Sequence, residues 1–175
     1  MAKIDLEKYG IIGATETAVR LAPGEVCLAI LTITLLAFVA AGMTAIADDS
    51  GLCVDALQGG PGVYSARYGG EGLDDAGRYR LLLQNMRGQT DRSAKFVSVI
   101  TCCFPNGDVI TARGECPGTI AFAPMGEGGF GYDPVFFVPA LKKTFSQLSA
   151  EEKNAISHRG KALEIFRGKL EEYMK

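Results

Sequence analysis

The first segment able to do chemistry is a pair of adjacent carboxylates, Asp48 and Asp49, followed by Ser50 and Gly51. Because an apolar run precedes them, the pattern predicts a strand that ends in a polar turn, with a short helix over residues 51–57. Two carboxylates at a strand end can hold a divalent cation such as Mg²⁺, and one of them can take a proton from an attacking water. An Asp-Ser-Gly turn that caps a helix explains the same residues without a metal, so both interpretations stay open.

A glycine-rich segment at residues 126–131 precedes Tyr132, Asp133 and a predicted strand at residues 135–138. Glycine lets the backbone approach a ligand closely and donate N–H groups to it. Phe130 offers a face on which a purine can stack, and Asp133 can accept hydrogen bonds from ring N–H groups. The alternative is a tight turn that feeds a core strand, in which Phe130 and Tyr132 only pack. The segment lacks the Rossmann and P-loop fingerprints.

Three potential cations, Lys153, His158 and Arg159, fall within seven residues near the C-terminus. On one continuous helix Lys153 and His158 would differ by about 140° in azimuth, because each residue turns about 100°. They converge on one ligand only if the helix breaks near residues 157–160, where Gly160 permits a break. A solvated helix face with a satisfied histidine is the alternative.

The elements that must position these groups are readable from local signals. A helix is predicted over residues 74–86, with the leucines at 81–83 facing inward. Strands at residues 94–104 and 108–114 flank Pro105-Asn106-Gly107, which is typical of a hairpin turn. Ser149 begins a helical tail, and a capping box with Glu152 is expected. This mixture predicts an α/β or α+β domain around a central sheet, with residues 1–175 as a single domain.

Composition excludes several classes of protein. With 47% hydrophobic and 22% charged residues among 175, the chain is an ordered globular protein. A net charge of −2 gives no long-range attraction to a nucleic acid polymer or an anionic membrane. The five cysteines show no CxxC spacing, which indicates reduced thiols and a cytoplasmic location. One histidine without paired ligand spacing argues against a zinc site.

Residues 26–47 contain no charged side chain and are long enough to span a bilayer. Several threonines within the segment, and the acidic pair directly after it, favour a buried helix over residues 26–41, a turn at Gly42 and a strand through Ala47. A membrane anchor formed by residues 26–47 remains the alternative.

Four segments, in this order, resemble the inosine triphosphatase family, the Ham1-like proteins. They are AIADDSGL at 45–52, PGVYSARY at 61–68, GFGYDP at 129–134 and LSAEEKNAISHRG at 148–160. The resemblance runs from about Ala37 to the C-terminus.

The resemblance implies Mg²⁺-dependent hydrolysis of non-standard purine nucleoside triphosphates (ITP, dITP, XTP) to the monophosphate and pyrophosphate. It also implies a homodimer with an α/β fold, in which an elongated mixed sheet flanked by helices lies between two lobes and the site occupies their cleft. By motif position, Asp49 is the proton acceptor and a metal ligand, with Asp48 beside it on the metal. The implied substrate contacts, with Phe130 stacked on the base, are Ser50, Phe130, Gly131, Tyr132, Asp133, Lys153, His158 and Arg159.

The N-terminal third departs from the family pattern. A Thr/Ser-Gly-Asn segment and a lysine that grip the triphosphate are expected before the acidic pair, and nothing of that kind precedes Asp48. Residues 1–36 are either read partly in a shifted frame or diverged, and the first strand of the sheet is in question. Either explanation predicts impaired catalysis, since neutralising phosphate charge contributes much of such a rate. The alternative function is a catalytically weak protein that still binds purine nucleotides.

Overall fold

A six-stranded antiparallel sheet forms the centre of the computed structural model, which describes residues 42–175. Its strands are β1 (Ala45–Val54), β2 (Pro61–Gly62), β3 (Ser93–Cys103), β4 (Val109–Ile120), β5 (Phe136–Val138) and β6 (Lys143–Thr144). The α-helices of this part are α1 (Asp75–Asn85), α2 (Ala150–Ile156) and α3 (His158–Tyr173), and short 3₁₀ turns occupy Asp55–Leu57, Ser65–Arg67 and Phe145–Gln147. The spatial order is β2-β1-β3-β4-β5-β6. The predicted α/β class is confirmed, although every strand pair within the described residues is antiparallel rather than mixed.

The long β3–β4 hairpin is the backbone of the sheet, and its turn chemistry was readable from sequence. Gly107 adopts φ +91°, a left-handed conformation that glycine takes without a Cβ penalty. Its N–H donates to the Phe104 carbonyl at 2.9 Å, and the Asn106 side chain bonds Asp108. The predicted hairpin turn is therefore confirmed, and β4 continues beyond the predicted end to Ile120.

The two faces of the sheet carry different clusters. On one face Leu52, Val54 and Phe96 pack with Leu82 and Met86 at the end of α1. Further along this face Ile100 and Ile110 pack against Ala162 and Phe166 of α3. The opposite face carries Cys53, Val97 and Val99. The face that packs against α1 and α3 is called the helix face.

The helices begin at side-chain caps, of which the one at Ser149 was predicted. Asp74 caps α1 by accepting from the Gly77 N–H at 2.7 Å, and of the three leucines only Leu82 is fully buried. Three consecutive helical residues cannot all face inward, since each is rotated by about 100°. At α2 the Ser149–Glu152 capping box forms with both of its hydrogen bonds.

The break on which convergence of Lys153 and His158 depends is present between the two C-terminal helices. Ser157 is extended, with φ −66° and ψ 151°, and it separates α2 from α3. Its hydroxyl accepts from the Gly160 N–H at 3.0 Å, which caps α3. Gly160 is needed for space, because a Cβ there would lie 2.3 Å from the Asn154 carbonyl oxygen.

The prediction for the acidic segment is wrong. The strand does not end at Asp48 and Asp49, and no helix covers residues 51–57, because β1 continues to Val54 and only Asp55–Leu57 form a 3₁₀ turn. Long-range pairing overrides the local turn propensity here, since β3 pairs with every residue of β1. Burial of Leu52 and Val54 on the helix face adds to that pairing.

Other predictions fall outside the described residues. Residues 1–41 contain the predicted helix over 26–41 and most of the possible anchor over 26–47. The question of a first strand also concerns these residues. Within residues 42–175, no helix is both long and apolar enough to cross a membrane. The single domain over residues 1–175 stays a prediction.

Candidate functional site

The two carboxylates of the acidic pair lie on opposite faces of the sheet, because successive residues of a strand alternate. Asp48 lies opposite Ile100 on the helix face, where its Oδ2 accepts from Arg159 Nη2 at 2.9 Å. Asp49 lies opposite Val99 on the other face. Their adjacency in sequence therefore does not make them a chelating pair.

Asp49 is half-buried, and its surroundings suit a proton acceptor. Burial raises the pKa of its carboxyl group above the usual value, while a hydrogen bond from the Ser50 N–H (2.8 Å to Oδ1) opposes this rise. The charge of Asp48 adds to the rise, whereas Arg67 and Arg159 act against it. A higher proton affinity favours taking a proton from water.

The glycine-rich loop is organised around one buried carboxylate. Asp133 is 3% exposed, and its Oδ2 accepts from the Phe130 N–H at 2.9 Å and from Lys153 Nζ at 2.5 Å. A Cβ on Gly129 would lie 2.2 Å from that oxygen, so glycine is required for this close approach. Asp133 thus joins the loop to α2 within the protein, and its expected contact with a base stays a prediction.

Phe130 presents an exposed ring beside this ion pair, and the lysine of the pair lies over that ring. Lys153 Nζ lies 4.5 Å from the centre of the Phe130 ring, and Phe130 is 65% exposed. Lys153 thus covers one face of the ring, and the exposed remainder of the ring can be reached by a flat ligand. The stacking of a base on Phe130 stays a prediction.

His158 is held as a neutral ring on the helix face. It stacks on Phe96, with ring centres 4.7 Å apart and 13° between the planes. Burial, together with the nearby charges of Arg159 and Lys153, lowers its pKa to about 4. At physiological pH the imidazole is uncharged, so of the three predicted cations only Lys153 and Arg159 carry charge.

Most of the predicted substrate contacts come together. The loop at residues 130–133 contacts Lys153 through the ion pair of Asp133. The charges of Lys153 and Arg159 act on the pKa of His158, and Arg159 forms an ion pair with Asp48. Asp49 lies on the opposite face of the sheet from these substrate contacts. The charge of Arg159 nevertheless acts to lower the pKa of the Asp49 carboxyl group. Ser50 lies on the helix face with its hydroxyl buried.

The residues present fit a magnesium ion only in part. Among residues 42–175 no group of three or more His, Cys, Asp or Glu side chains converges on a point. Mg²⁺ is typically bound by one or two carboxylates together with substrate phosphates and water, so Asp49 alone suits it. Asp48 faces the other way and pairs with Arg159, which counts against a shared ion.

Sequence reasoning missed the residues that hold the loop from outside. Asp75, at the start of α1, accepts from the Gly131 N–H at 2.7 Å. The Ser65 carbonyl accepts from the Tyr132 hydroxyl at 2.8 Å, and the Ser65 hydroxyl accepts from the Leu52 N–H at 2.8 Å. Ser65 stood in a motif already noted, whereas Asp75 had no signal beyond helix capping.

The sequence is similar to a family of known proteins over most of its length. The sequence model described as Ham1 family matches residues 23–169, and so begins N-terminal to Ala37. A dITP/XTP pyrophosphatase of Exiguobacterium sp. is 48% identical over 134 residues, which are 77% of this chain and 68% of the relative. A dITP/XTP pyrophosphatase of Desulforamulus reducens is 56% identical over 124 residues, 70% of this chain and 62% of the relative. The chain thus spans about two thirds of the length of these relatives.

Solved structures agree with the sequence relatives. The Staphylococcus aureus Ham1 protein superposes with a TM-score of 0.83 at 41% identity, covering 93% of this chain and 82% of that one. A nucleoside-triphosphatase, dITP/XTP pyrophosphatase, from Mycobacterium abscessus superposes with a TM-score of 0.77 at 38% identity, covering 86% and 80%.

Proposed function

Since the chain belongs to the Ham1 family, we propose that it hydrolyses non-standard purine nucleoside triphosphates, ITP, dITP or XTP, to the monophosphate and pyrophosphate. The relatives named as dITP/XTP pyrophosphatases support this substrate class. The proposal includes the homodimer and the cytoplasmic location that the family resemblance implies. No nucleic acid polymer or membrane is a partner in it, in keeping with the net charge of −2.

The observation that carries the proposal is the exposed ring of Phe130 with Lys153 beside it. An aromatic face accepts any purine by stacking, so the ring alone selects no particular base. Selection comes from the side groups, since lysine and arginine donate hydrogen bonds and accept none. Hypoxanthine and xanthine carry a carbonyl oxygen at C6, which accepts such bonds, whereas adenine carries an amino group there. Lys153 therefore favours the 6-oxo purines over adenine, and guanine, which has the same carbonyl at C6, is favoured together with hypoxanthine and xanthine.

In the proposed reaction the oxygen of a water molecule bonds to the α-phosphorus as Asp49 takes a proton from that water. The bond from the α-phosphorus to the oxygen that bridges it to the β-phosphate breaks, and pyrophosphate leaves. Burial raises the pKa of Asp49 in the metal-free protein, which favours acceptance of a proton from water. Arg67 and Arg159, which act electrostatically on Asp49, are the described cations suited to offset phosphate charge. Lys153, His158, Arg159 and the loop at Phe130–Asp133 hold the nucleotide in the proposal, whereas the buried hydroxyl of Ser50 does not reach it.

Magnesium belongs to this proposal as the ion that Asp49 would hold together with substrate phosphates. When bound, Mg²⁺ supplies positive charge that stabilises the phosphate oxygens of the transition state. Asp48 instead positions Arg159 through their 2.9 Å ion pair.

The test is pyrophosphate release from ITP in the presence of Mg²⁺, comparing the full chain with its Asp49→Asn variant. Loss of a positioned general base is expected to lower kcat by a factor of about 10²–10⁴. Asp55→Asn is the matched control, because Asp55 is an exposed carboxylate directly after the same strand. Near-normal hydrolysis by Asp49→Asn would remove Asp49 from its role.

The same assay separates the enzyme from the alternative function. Calorimetric binding of ITP without release of pyrophosphate, even at high protein concentration, would indicate a nucleotide-binding protein with little catalysis. Equal turnover of ITP and ATP would contradict the selection by Lys153.

A further inference from the structure

Three buried polar atoms on the helix face have no hydrogen-bond partner among the described residues: Ser50 Oγ, Ser98 Oγ and His158 Nδ1. A buried polar group without a partner is costly, and most such groups in proteins are satisfied by protein atoms or by internal water. Ser98 is 0% exposed, so a nucleotide cannot reach its hydroxyl. No motif in the sequence pointed to Ser98.

The strand register places the two serines side by side. Ser50 of β1 lies directly opposite Ser98 of β3, and both side chains point to the helix face. Directly opposed residues of antiparallel strands have Cβ atoms about 4.5–5.5 Å apart. One water molecule can therefore bond both hydroxyls.

The packing of α3 brings His158 to the same place. Ser98 lies opposite Gly114 of β4, and a Cβ on Gly114 would lie 2.1 Å from the His158 carbonyl oxygen. The His158 ring stacks on Phe96, which is two residues from Ser98 on the same face of β3. The backbone of His158 therefore lies over Gly114 and its ring lies over Phe96. Ser98 is paired with Gly114 and is two residues from Phe96, so it lies next to both.

We propose that Ser98 is a positioning residue for His158: it shares one internal water molecule with Ser50 and with His158 Nδ1, and this water fixes the orientation and tautomer of the imidazole. Such a water typically makes about three hydrogen bonds to groups that are otherwise unsatisfied. In a neutral imidazole one nitrogen donates and the other accepts, and the partner of one nitrogen decides the role of the other. Ser98 therefore determines which hydrogen-bonding character His158 Nε2 presents to the nucleotide. The inference rests on the proposed function, which places His158 among the substrate contacts.

Nuclear magnetic resonance of the full chain labelled with ¹⁵N-histidine tests this directly, because His158 is the only histidine. At neutral pH the wild type is expected to give one donor-type and one acceptor-type nitrogen shift, the signature of a single tautomer. In Ser98→Ala both shifts should move toward values averaged over two tautomers. Ser50→Ala reports on the same cluster from the neighbouring strand and decides the matter if Ser98→Ala fails to fold.

Thr101→Val is the matched control, since Thr101 is a buried hydroxyl residue on the same strand but on the opposite face, near Thr111. It should leave the histidine shifts and the kinetics unchanged. Ser98→Ala should raise KM for ITP by about 3- to 10-fold, with kcat changed less than about twofold. Wild-type shifts that already indicate mixed tautomers, or a Ser98→Ala spectrum identical to the wild type, would overturn the proposal. Absence of ITP hydrolysis in the wild type would instead count against the proposed function, and the nitrogen shifts would still decide the role of Ser98.

Discussion

Replacing Asp133 with asparagine isolates the charge of the carboxylate on which the glycine loop is built. The substitution keeps the size of the side chain and an oxygen able to accept from the Phe130 N–H. What disappears is the negative charge 2.5 Å from Lys153 Nζ. The ammonium group of Lys153, with a side chain only 18% exposed, is then left without its counter-charge.

The size of the effect follows from that burial. Removing one partner of a buried ion pair costs about 3–5 kcal/mol, because the remaining charge is desolvated and uncompensated. Lys153 keeps some solvent contact and the ring faces of Phe130 and Phe145 at 4.5 and 5.3 Å, which offset part of the loss. We therefore expect Asp133→Asn to lower the free energy of unfolding by about 2–4 kcal/mol.

Urea denaturation followed by far-ultraviolet circular dichroism measures this loss, and the midpoint should fall by about 1–2 M at a typical slope for a small protein. Glu171→Gln is the control, because the Arg167–Glu171 pair is 72% and 69% exposed and should contribute little. Adding Lys153→Met to Asp133→Asn should restore part of the stability, since the unpaired charge is then gone. A loss no larger than that of Glu171→Gln would refute the reasoning that the ion pair organises the loop.

Three further predictions follow from the site and its scaffold. Phe130→Ala should weaken calorimetric binding of ITP by about 5- to 150-fold, the value of one base stacked on an aromatic ring, and weaken free pyrophosphate less; equal weakening of both would deny the stacking role. Gly114→Ala places a Cβ 2.1 Å from the His158 carbonyl oxygen and 2.4 Å from the Ala162 nitrogen, so the free energy of unfolding should fall by about 1–3 kcal/mol. The control Gly168→Ala, with no atom within 4 Å, should not destabilise the protein. Similar urea midpoints for the two variants would contradict this packing. Because the pKa of His158 is about 4 in the fold and about 6.5 when unfolded, the unfolded chain binds the extra proton between these values, and stability should fall by up to about 3 kcal/mol as pH drops from about 6.5 to about 4. Urea midpoints of His158→Gln across that range should lack this component, and an identical pH dependence in both proteins would show that His158 does not supply it.

Features set by a few neighbouring residues could be predicted from the sequence. The Asn106-Gly107 turn and the Ser149–Glu152 capping box each depend on contacts within four residues, and both form as expected. The break at Ser157 was also accessible, because Lys153 and His158 can serve one ligand only if the helix is interrupted.

Features set by distant contacts could not be predicted. The acidic segment carries local turn chemistry, but its pairing with β3, about fifty residues away, draws it into a strand and turns Asp48 and Asp49 to opposite faces. In the same way Asp75 is tied to Gly131 across 56 positions, and nothing in the local sequence indicates it. The residues of the candidate site were found by motif, whereas their division between two faces needed the register of the sheet.

The single extended residue between α2 and α3 has a consequence for how this part of the chain tolerates change. Lys153 faces Phe130 while His158 faces Phe96 only because Ser157 keeps a ψ of 151°. A substitution that let residue 157 become helical would join α2 and α3 into one continuous helix. Lys153 and His158 would then lie about 140° apart around its axis. Under the proposed function, a substitution at the buried Ser157 is therefore expected to weaken nucleotide binding without touching the nucleotide.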